Sequence, residues 1–346
     1  MRLRDLITDA VAPVPHVAPE RCVHTHAEVA SCDRCVDCCP LDAWVLEDDA
    51  LYIDSARCDG CGLCAAHCPE GALVQAEAVL PREITARVSA ACVRAGCGEG
   101  PARIPCVNAI GFSQIATLYR AGVTQLSIAV GDCRHCTRVD GDAFRLRVNL
   151  FNRVLHDRGL PELQVHLHAA GEPASIEADA TALVQGAQLS RRGFFRRLAG
   201  AMVEPIPVGG EQEWQPPGVE LPTFGIGDVA LFVPSIDVVR CNGCDACVRV
   251  CPHGALLFTT EPDGYRIDSN SCTGCGLCDD ICDQDAVTVA TGATVEQAWV
   301  PLHKYRCAQC GAVFHTTSAQ PSARPTCRIC HRVDHQRKLF QIIASP

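Results

Sequence analysis

Apolar positions along this chain come in short runs, and most of the runs begin or end at a cysteine. Four stretches share a Cys-(Pro)-x-x-Ala signature that opens an apolar run: CCPLDAWVLED (38–48), HCPEGALVQAE (67–77), VCPHGALLFTT (250–260) and ICDQDAVTVAT (281–291). Near-duplicates precede the second and fourth, YIDSARCDGCGLC (52–64) and YRIDSNSCTGCGLC (265–278). The repeating unit is a half-motif, paired once near each end of the chain and flanking a different middle.

In that middle the periodicity changes. ITARVSAAC ends at Cys92, ARIPC at Cys106 and QLSIAVGDC at Cys133, each reading as a strand. FSQIATLYRAG (112–122) and DAFRLRVNLFNRVLHDRG (142–159) have helical spacing, and LQVHL (163–167) reads as a further strand. Alternating strands and helices predict a small parallel α/β sheet over 81–169, with its cysteines at the shared carboxyl edge where open α/β folds put their sites. Residues 170–235 are rich in Ala, Gly, Pro and Glu and read as a linker. Within it, SRRGFFRRLAGAMV (190–203) sets Phe194, Phe195 and Leu198 among Arg191, Arg192, Arg196 and Arg197, as a short basic helix packed within the chain or docked on a partner. No stretch approaches the ~18 apolar residues of a membrane span.

Composition sharpens this picture. Of 346 residues, 26 are cysteine and only 5% are aromatic, so large cores are scarce and cysteine must hold parts of the chain together. The chain is long for a secreted disulfide domain, and its opening MRLRDLITDAVAPVP lacks the apolar run of a signal peptide. The expectation is a cytoplasmic metalloprotein. Charge is uneven: residues 20–78 carry twelve acids against three arginines, and 236–291 nine against three, while 292–346 carry two acids against seven Lys/Arg. The acidic segments are the Cys-rich ones, which disfavours nucleic acid as their partner.

Spacing then names the chemistry. Cys58, Cys61, Cys64 and Cys68-Pro69 follow C-x2-C-x2-C-x3-C-P, as do Cys241, Cys244, Cys247 and Cys251-Pro252. Cys272, Cys275, Cys278 and Cys282 repeat it with Asp283 in place of Pro. Soft thiolates at this spacing suit iron–sulfur clusters, with small residues between them letting backbone N–H groups approach. The first half-motif is irregular. Pro40 marks Cys39 as the fourth position, making Cys35 the third and Cys32 the second, while Val29 stands where the first should be. Cys22 is the nearest upstream substitute, across a loop containing His24 and His26; Cys38 is off register and reads as a spare thiol.

Residues 22–77 and 241–290 resemble two dicluster ferredoxin domains, the pseudo-twofold βαββαβ module of electron-transfer subunits. The long loop before CDRCVDCCP is similar to a variant found in ferredoxin-type proteins beside respiratory molybdenum enzymes. The resemblance implies four [4Fe–4S] clusters with crossed ligation, three cysteines coming from one half-motif and the fourth from its partner. It assigns Cys22, Cys32, Cys35 and Cys68 to one cluster and Cys58, Cys61, Cys64 and Cys39 to its neighbour. In the second pair, Cys241, Cys244, Cys247 and Cys282 hold one cluster and Cys272, Cys275, Cys278 and Cys251 the other.

In the middle, four thiols are expected to converge: Cys92, Cys106, Cys133 and Cys136, with Cys97 either a fifth member or a substitute for Cys92. They suit a fifth cluster, [2Fe–2S] or [4Fe–4S], or a zinc ion; buried structural thiols are the plain alternative. On IPCVNAIG and VGDCRHC the segment is weakly similar to the small iron–sulfur subunit of hydrogenase–heterodisulfide reductase complexes, departing from it at Cys92-x4-Cys97. The glycines of AGCGEGPAR (95–103) do not make a dinucleotide loop, and no nicotinamide or flavin fingerprint, nucleophile elbow or Walker motif is present. In the tail, Cys307-x2-Cys310 and Cys327-x2-Cys330 have zinc-ribbon spacing, with a rubredoxin-like iron using the same ligands; His331 and His335 read as bystanders.

The expected architecture is an α+β multidomain chain: a dicluster ferredoxin domain (1–80), a small parallel α/β domain (81–169), the linker (170–235), a second dicluster domain (236–292) and a zinc-ribbon-like tail (293–346). The expected function is an electron-transfer subunit, not an enzyme. Catalysis is left to a partner such as a molybdenum or tungsten enzyme, a hydrogenase or a flavoprotein. Two other readings are a redox enzyme with its active site around Cys106 and Cys133, and a redox-sensing assembly or regulatory protein that makes contact through its basic tail.

Overall fold

The computed structural model describes residues 14–47, 50–74, 86–96, 102–138, 142–169, 214–219, 221, 225–261, 263–319 and 324–332. Cys97, the basic segment 190–203 and His335 lie outside the described residues.

The middle of the chain folds around a four-stranded, wholly parallel sheet in the order Ala102–Ile104, Arg87–Cys92, Gln125–Val130, Gln164–Ala169. Helices Phe112–Arg120 and Ala143–Asp157 supply its main apolar cover. Ile115 and Leu118 recur at i and i+3 on the first helix, Phe151, Val154 and Leu155 at i, i+3 and i+4 on the second. All five are fully buried beside Leu126 and Ile128 of the sheet. Phe151→Ala is expected to cost about 3–5 kcal/mol, read as a lowered denaturation midpoint with no direct effect on any cysteine. Only the strand Arg87–Cys92 ends on its cysteine. Pro105, which has no N–H to donate, follows Ile104 at the end of one strand, and Gly131-Asp132 turn the chain after Val130, so Cys106 and Cys133 stand just beyond the ladder.

Two antiparallel modules lie against this sheet. In the first, His16–Val17 pairs with Leu73–Val74, and Trp44–Glu47 with Ala50–Ile53. In the second, Val229–Ile236 pairs with Val287–Thr294, and Leu256–Thr260 with Asp263–Ile267, to which Trp299–Pro301 adds a third strand. The opening strand of the second module therefore starts at Val229, inside the stretch read from sequence as linker. It carries no cysteine to announce it, and Pro234 fits because a two-stranded sheet consists only of edges.

The modules share apolar surface with the sheet. Leu231 and Phe232 of the second module belong to the same core as Ile115 and Leu118, with Phe112 and Phe232 meeting edge to face at 5.9 Å. Asp157 at the end of the second helix accepts the Val229 N–H at 2.5 Å. The tail forms a hairpin, His303–Arg306 with Val313–Thr316, followed by helix Arg328–Arg332. Among the described residues, no helix is long and apolar enough to cross a membrane.

Candidate metal centres

The thiols fall into sets that cut across the half-motifs. Burial pushes Cys35 up to about 12, and the neighbouring sulfurs that add to the effect belong to Cys32, Cys68, Cys64 and Cys22. Cys32 is raised by burial and by Cys22, and Cys68 by burial and by Cys32. Cys22, Cys32, Cys35 and Cys68 thus stand together, with Cys22 brought in across its long loop. The His24 ring holds the Cys32 carbonyl at 2.8 Å, which ties that loop down without drawing the imidazole into the set. Beside it, Cys64 is pushed up to about 11 by burial, with Cys58 and Cys39 as its sulfur neighbours, and Cys61 to about 12. Cys38 lies between the two sets: burial raises it, and Cys64, Cys35, Cys39 and Cys61 all add to the effect.

The second module repeats this arrangement. Burial pushes Cys247 up to about 12, beside Cys241, Cys244 and Cys282. Cys272 is likewise pushed up to about 12 by burial, with Cys275 and Cys251 adjacent, and Cys275 to about 11. Cys278 is raised by burial and by Cys272, Cys275, Cys251 and, from the other set, Cys247. In both modules the cysteine before each apolar run has neighbours in the partner half-motif: Cys64 for Cys39, Cys32 and Cys35 for Cys68, Cys272, Cys275 and Cys278 for Cys251, and Cys241 and Cys247 for Cys282.

The alanine of the repeated signature has a physical reason. Its backbone N–H donates to the sulfur four residues earlier at 3.3 Å in three copies: Ala43 to Cys39, Ala72 to Cys68 and Ala286 to Cys282. Such N–H···S bonds stabilise negative charge on a thiolate. The tight loops need left-handed backbone. Gly62 (φ 77°) and Gly276 (φ 87°) supply it, and at the equivalent place in the third half-motif stands Asp245 (φ 67°). That carboxylate accepts from the Tyr265 hydroxyl at 2.7 Å and meets His315 of the tail hairpin at 2.8 Å, which explains a non-glycine residue there.

Long-range contacts connect the sets. Glu70 and His253 hold the same place in their motifs, two residues after Cys68 and Cys251, and they meet at 2.6 Å. Glu70 is buried and also accepts from the Thr273 hydroxyl, next to Cys272. Around this contact Arg34 donates to the Gly274 carbonyl at 2.7 Å and Ser31 to Asp280 at 2.7 Å. On the other side of the first module, Cys61, Leu63 and Cys106 pack in one apolar cluster. Arg138 bridges there from the middle sheet to Asp59 at 2.6 Å and to the Pro105 carbonyl at 2.9 Å.

At the sheet edge the structure brings together Cys92, Cys106, Cys133 and Cys136. Cys106 is pushed up to about 11 by burial, with Cys92 and Cys136 adding to it, and Cys133 is raised by burial with the same two neighbours. All four line one cavity, with Arg138 in its wall. In the tail, the ligand atoms of Cys307, Cys310, Cys327 and Cys330 all lie within 4.8 Å of one another. Backbone N–H groups of Cys310 and Cys327 pull Cys307 down to about 6. His331 is outside the set, and the tail is pinned to the second module by Thr317 donating to the Val238 and Cys241 carbonyls and Arg328 to that of Cys244.

The family model of the 4Fe–4S dicluster domain matches residues 240–286, and that of the 4Fe–4S binding domain residues 51–74. Over 39 residues, 11% of this chain, the sequence is 46% identical to an uncharacterized ferredoxin of Methanocaldococcus jannaschii, and the match spans 26% of that protein. No solved structure matches the chain. The chain therefore carries 4Fe–4S ferredoxin-type segments in both halves, within a mixed α/β structure.

Proposed function

We propose that this chain is an electron-transfer protein whose cysteine sets stand in one file: the sheet-edge set, Cys39/58/61/64, Cys22/32/35/68, Cys251/272/275/278, then Cys241/244/247/282. The observation that carries this reading is the contact between equivalent motif positions, Glu70 with His253, which joins the inner sets of the two modules. Packing of Cys61 on Cys106 supports the junction at the opposite end. The set in the middle of the sequence is then one end of the file.

Four buried or part-buried thiols in each module set, with N–H donors to sulfur, fit [4Fe–4S] clusters by donor chemistry. A cluster held there supplies storage and release of a single electron. The chain's own part is to exclude water, fix the sulfurs and set the local charge through backbone N–H groups, Arg34 and Arg138. Thiols raised by burial stay protonated until a cation arrives, so loading releases protons and is favoured as pH rises. The sheet-edge set is read as a fifth centre and the tail set as a zinc-ribbon site that locks the end of the chain. Catalysis belongs to a partner oxidoreductase, and the acidic modules suit a basic docking face on it.

Metal analysis of anaerobically purified protein tests this reading. Four cubanes require ~16 iron with matching labile sulfide, a fifth centre raises iron to ~18–20, and the tail takes ~1 zinc. Iron near ~8 would refute the four-cluster reading.

A further inference from the structure

A cavity of about 650 Å³ opens where the first module, the middle sheet and the second module meet. Its wall carries Arg21, Arg34, His67 and Arg147, and among the described residues no Asp or Glu lines it, in a chain with 40 acids against 30 Lys/Arg. Among the described residues, the hydrogen-bond partners of these arginines are uncharged groups. Arg21 donates to the Gly71 carbonyl at 3.0 Å and Arg34 to that of Gly274 at 2.7 Å. Arg147, 8% exposed, donates to the Asn108 carbonyl at 2.8 Å and the Ile110 carbonyl at 3.3 Å, with its other nitrogen against the His67 ring. Arg147 is thus buried on carbonyls and an imidazole, which leaves its charge unpaired, and with half-buried Arg21 and exposed Arg34 on the same wall the space favours an anion.

Two more features belong to the same wall. Gly111, Phe112, Ser113 and Gln114 bring in the N-terminus of helix Phe112–Arg120, whose free N–H groups favour negative charge. Phe112, Phe232 and Trp214 add an aromatic surface suited to a flat ring. The volume is in the usual range for small-molecule sites.

We propose that this cavity binds an anionic aromatic ligand, a planar ring system carrying a phosphate, with the arginines and the helix N-terminus on the phosphate and the aromatic side chains on the ring. Cys68 is also in the wall, so the ring would stand beside the inner cysteine set of the first module.

The test uses the full chain, purified anaerobically, in equilibrium dialysis with three probes: flavin mononucleotide, riboflavin and inorganic phosphate. Flavin mononucleotide is expected to bind, riboflavin to bind about tenfold or more weaker for want of the charged contacts, and phosphate to compete with the mononucleotide. Arg21→Gln with Arg34→Gln should weaken the mononucleotide about tenfold or more and leave riboflavin unchanged. Phe112→Ala should weaken both flavins and spare phosphate. Arg147→Gln should act like the other arginine changes, with circular dichroism separating a lost site from a lost fold. The proposal is overturned if the mononucleotide is not retained, if it binds no better than riboflavin, or if the arginine pair leaves its affinity untouched. It also fails if that pair shifts only the reduction potential of the bound iron, since the arginines would then serve the cysteine set alone. Binding is read independently of iron content, so failure here leaves the electron-transfer reading standing.

Discussion

Replacing Cys68 with Ser is expected to remove about four irons, and replacing Cys35 as well is expected to remove no more. The two residues belong to different half-motifs but face the same set, so the second change strikes a site already lost. Cys68→Ser with Cys64→Ser should instead remove about eight, although those residues are four apart on one motif. Iron and sulfide per chain decide the matter. If the Cys35 pair lost eight and the Cys64 pair four, ligation would follow the sequence, and the crossed sets would be wrong. Reduced-state EPR of the Cys68→Ser protein adds a second readout. The file predicts that losing the Cys22/32/35/68 centre simplifies spin coupling on both of its sides and leaves the sheet-edge centre's signal unchanged.

The second large effect lies at Glu70. This buried carboxylate receives the Thr273 hydroxyl and the His253 ring, so Glu70→Ala strands two polar groups at a module junction. A loss of about 3 kcal/mol or more is expected, appearing as a lowered midpoint in denaturant. Glu70→Gln keeps an acceptor for Thr273 and should lose less. Magnetic coupling between the modules should weaken in the alanine variant while iron content holds. An unchanged midpoint with unchanged coupling would mean that Arg34–Gly274 and Ser31–Asp280 hold the junction by themselves.

Much of the chemistry is legible in the sequence because cluster-binding loops are local: C-x2-C-x2-C-x3-C-P prescribes a turn, and the turn prescribes the donors. The parallel sheet is legible for a similar reason, since its strands and helices alternate with clear periods. Pairings of single residues across the chain leave no periodic trace. Glu70 and His253 carry no periodic signal until the modules are brought together, although their equivalent places after Cys68 and Cys251 are a signal that could have found them. Cys38 is off register in sequence and yet sits between two sets. Asp245 breaks the glycine pattern of Gly62 and Gly276 for the sake of Tyr265 and His315, partners 20 and 70 residues away. The strand at Val229 hides in a segment whose composition reads as linker.

The separation of Glu70 from its partners also sets a clock on synthesis. His253 follows it by 183 residues and Thr273 by 203. At ribosomal speeds of roughly 5–20 residues per second, the first module waits about 10–40 s for the surface that satisfies its buried carboxylate. During that interval the face that Ser31, Arg34 and Glu70 present to the second module stands open to solvent. The first module of the nascent chain therefore keeps that carboxylate in water until the second half has left the ribosome.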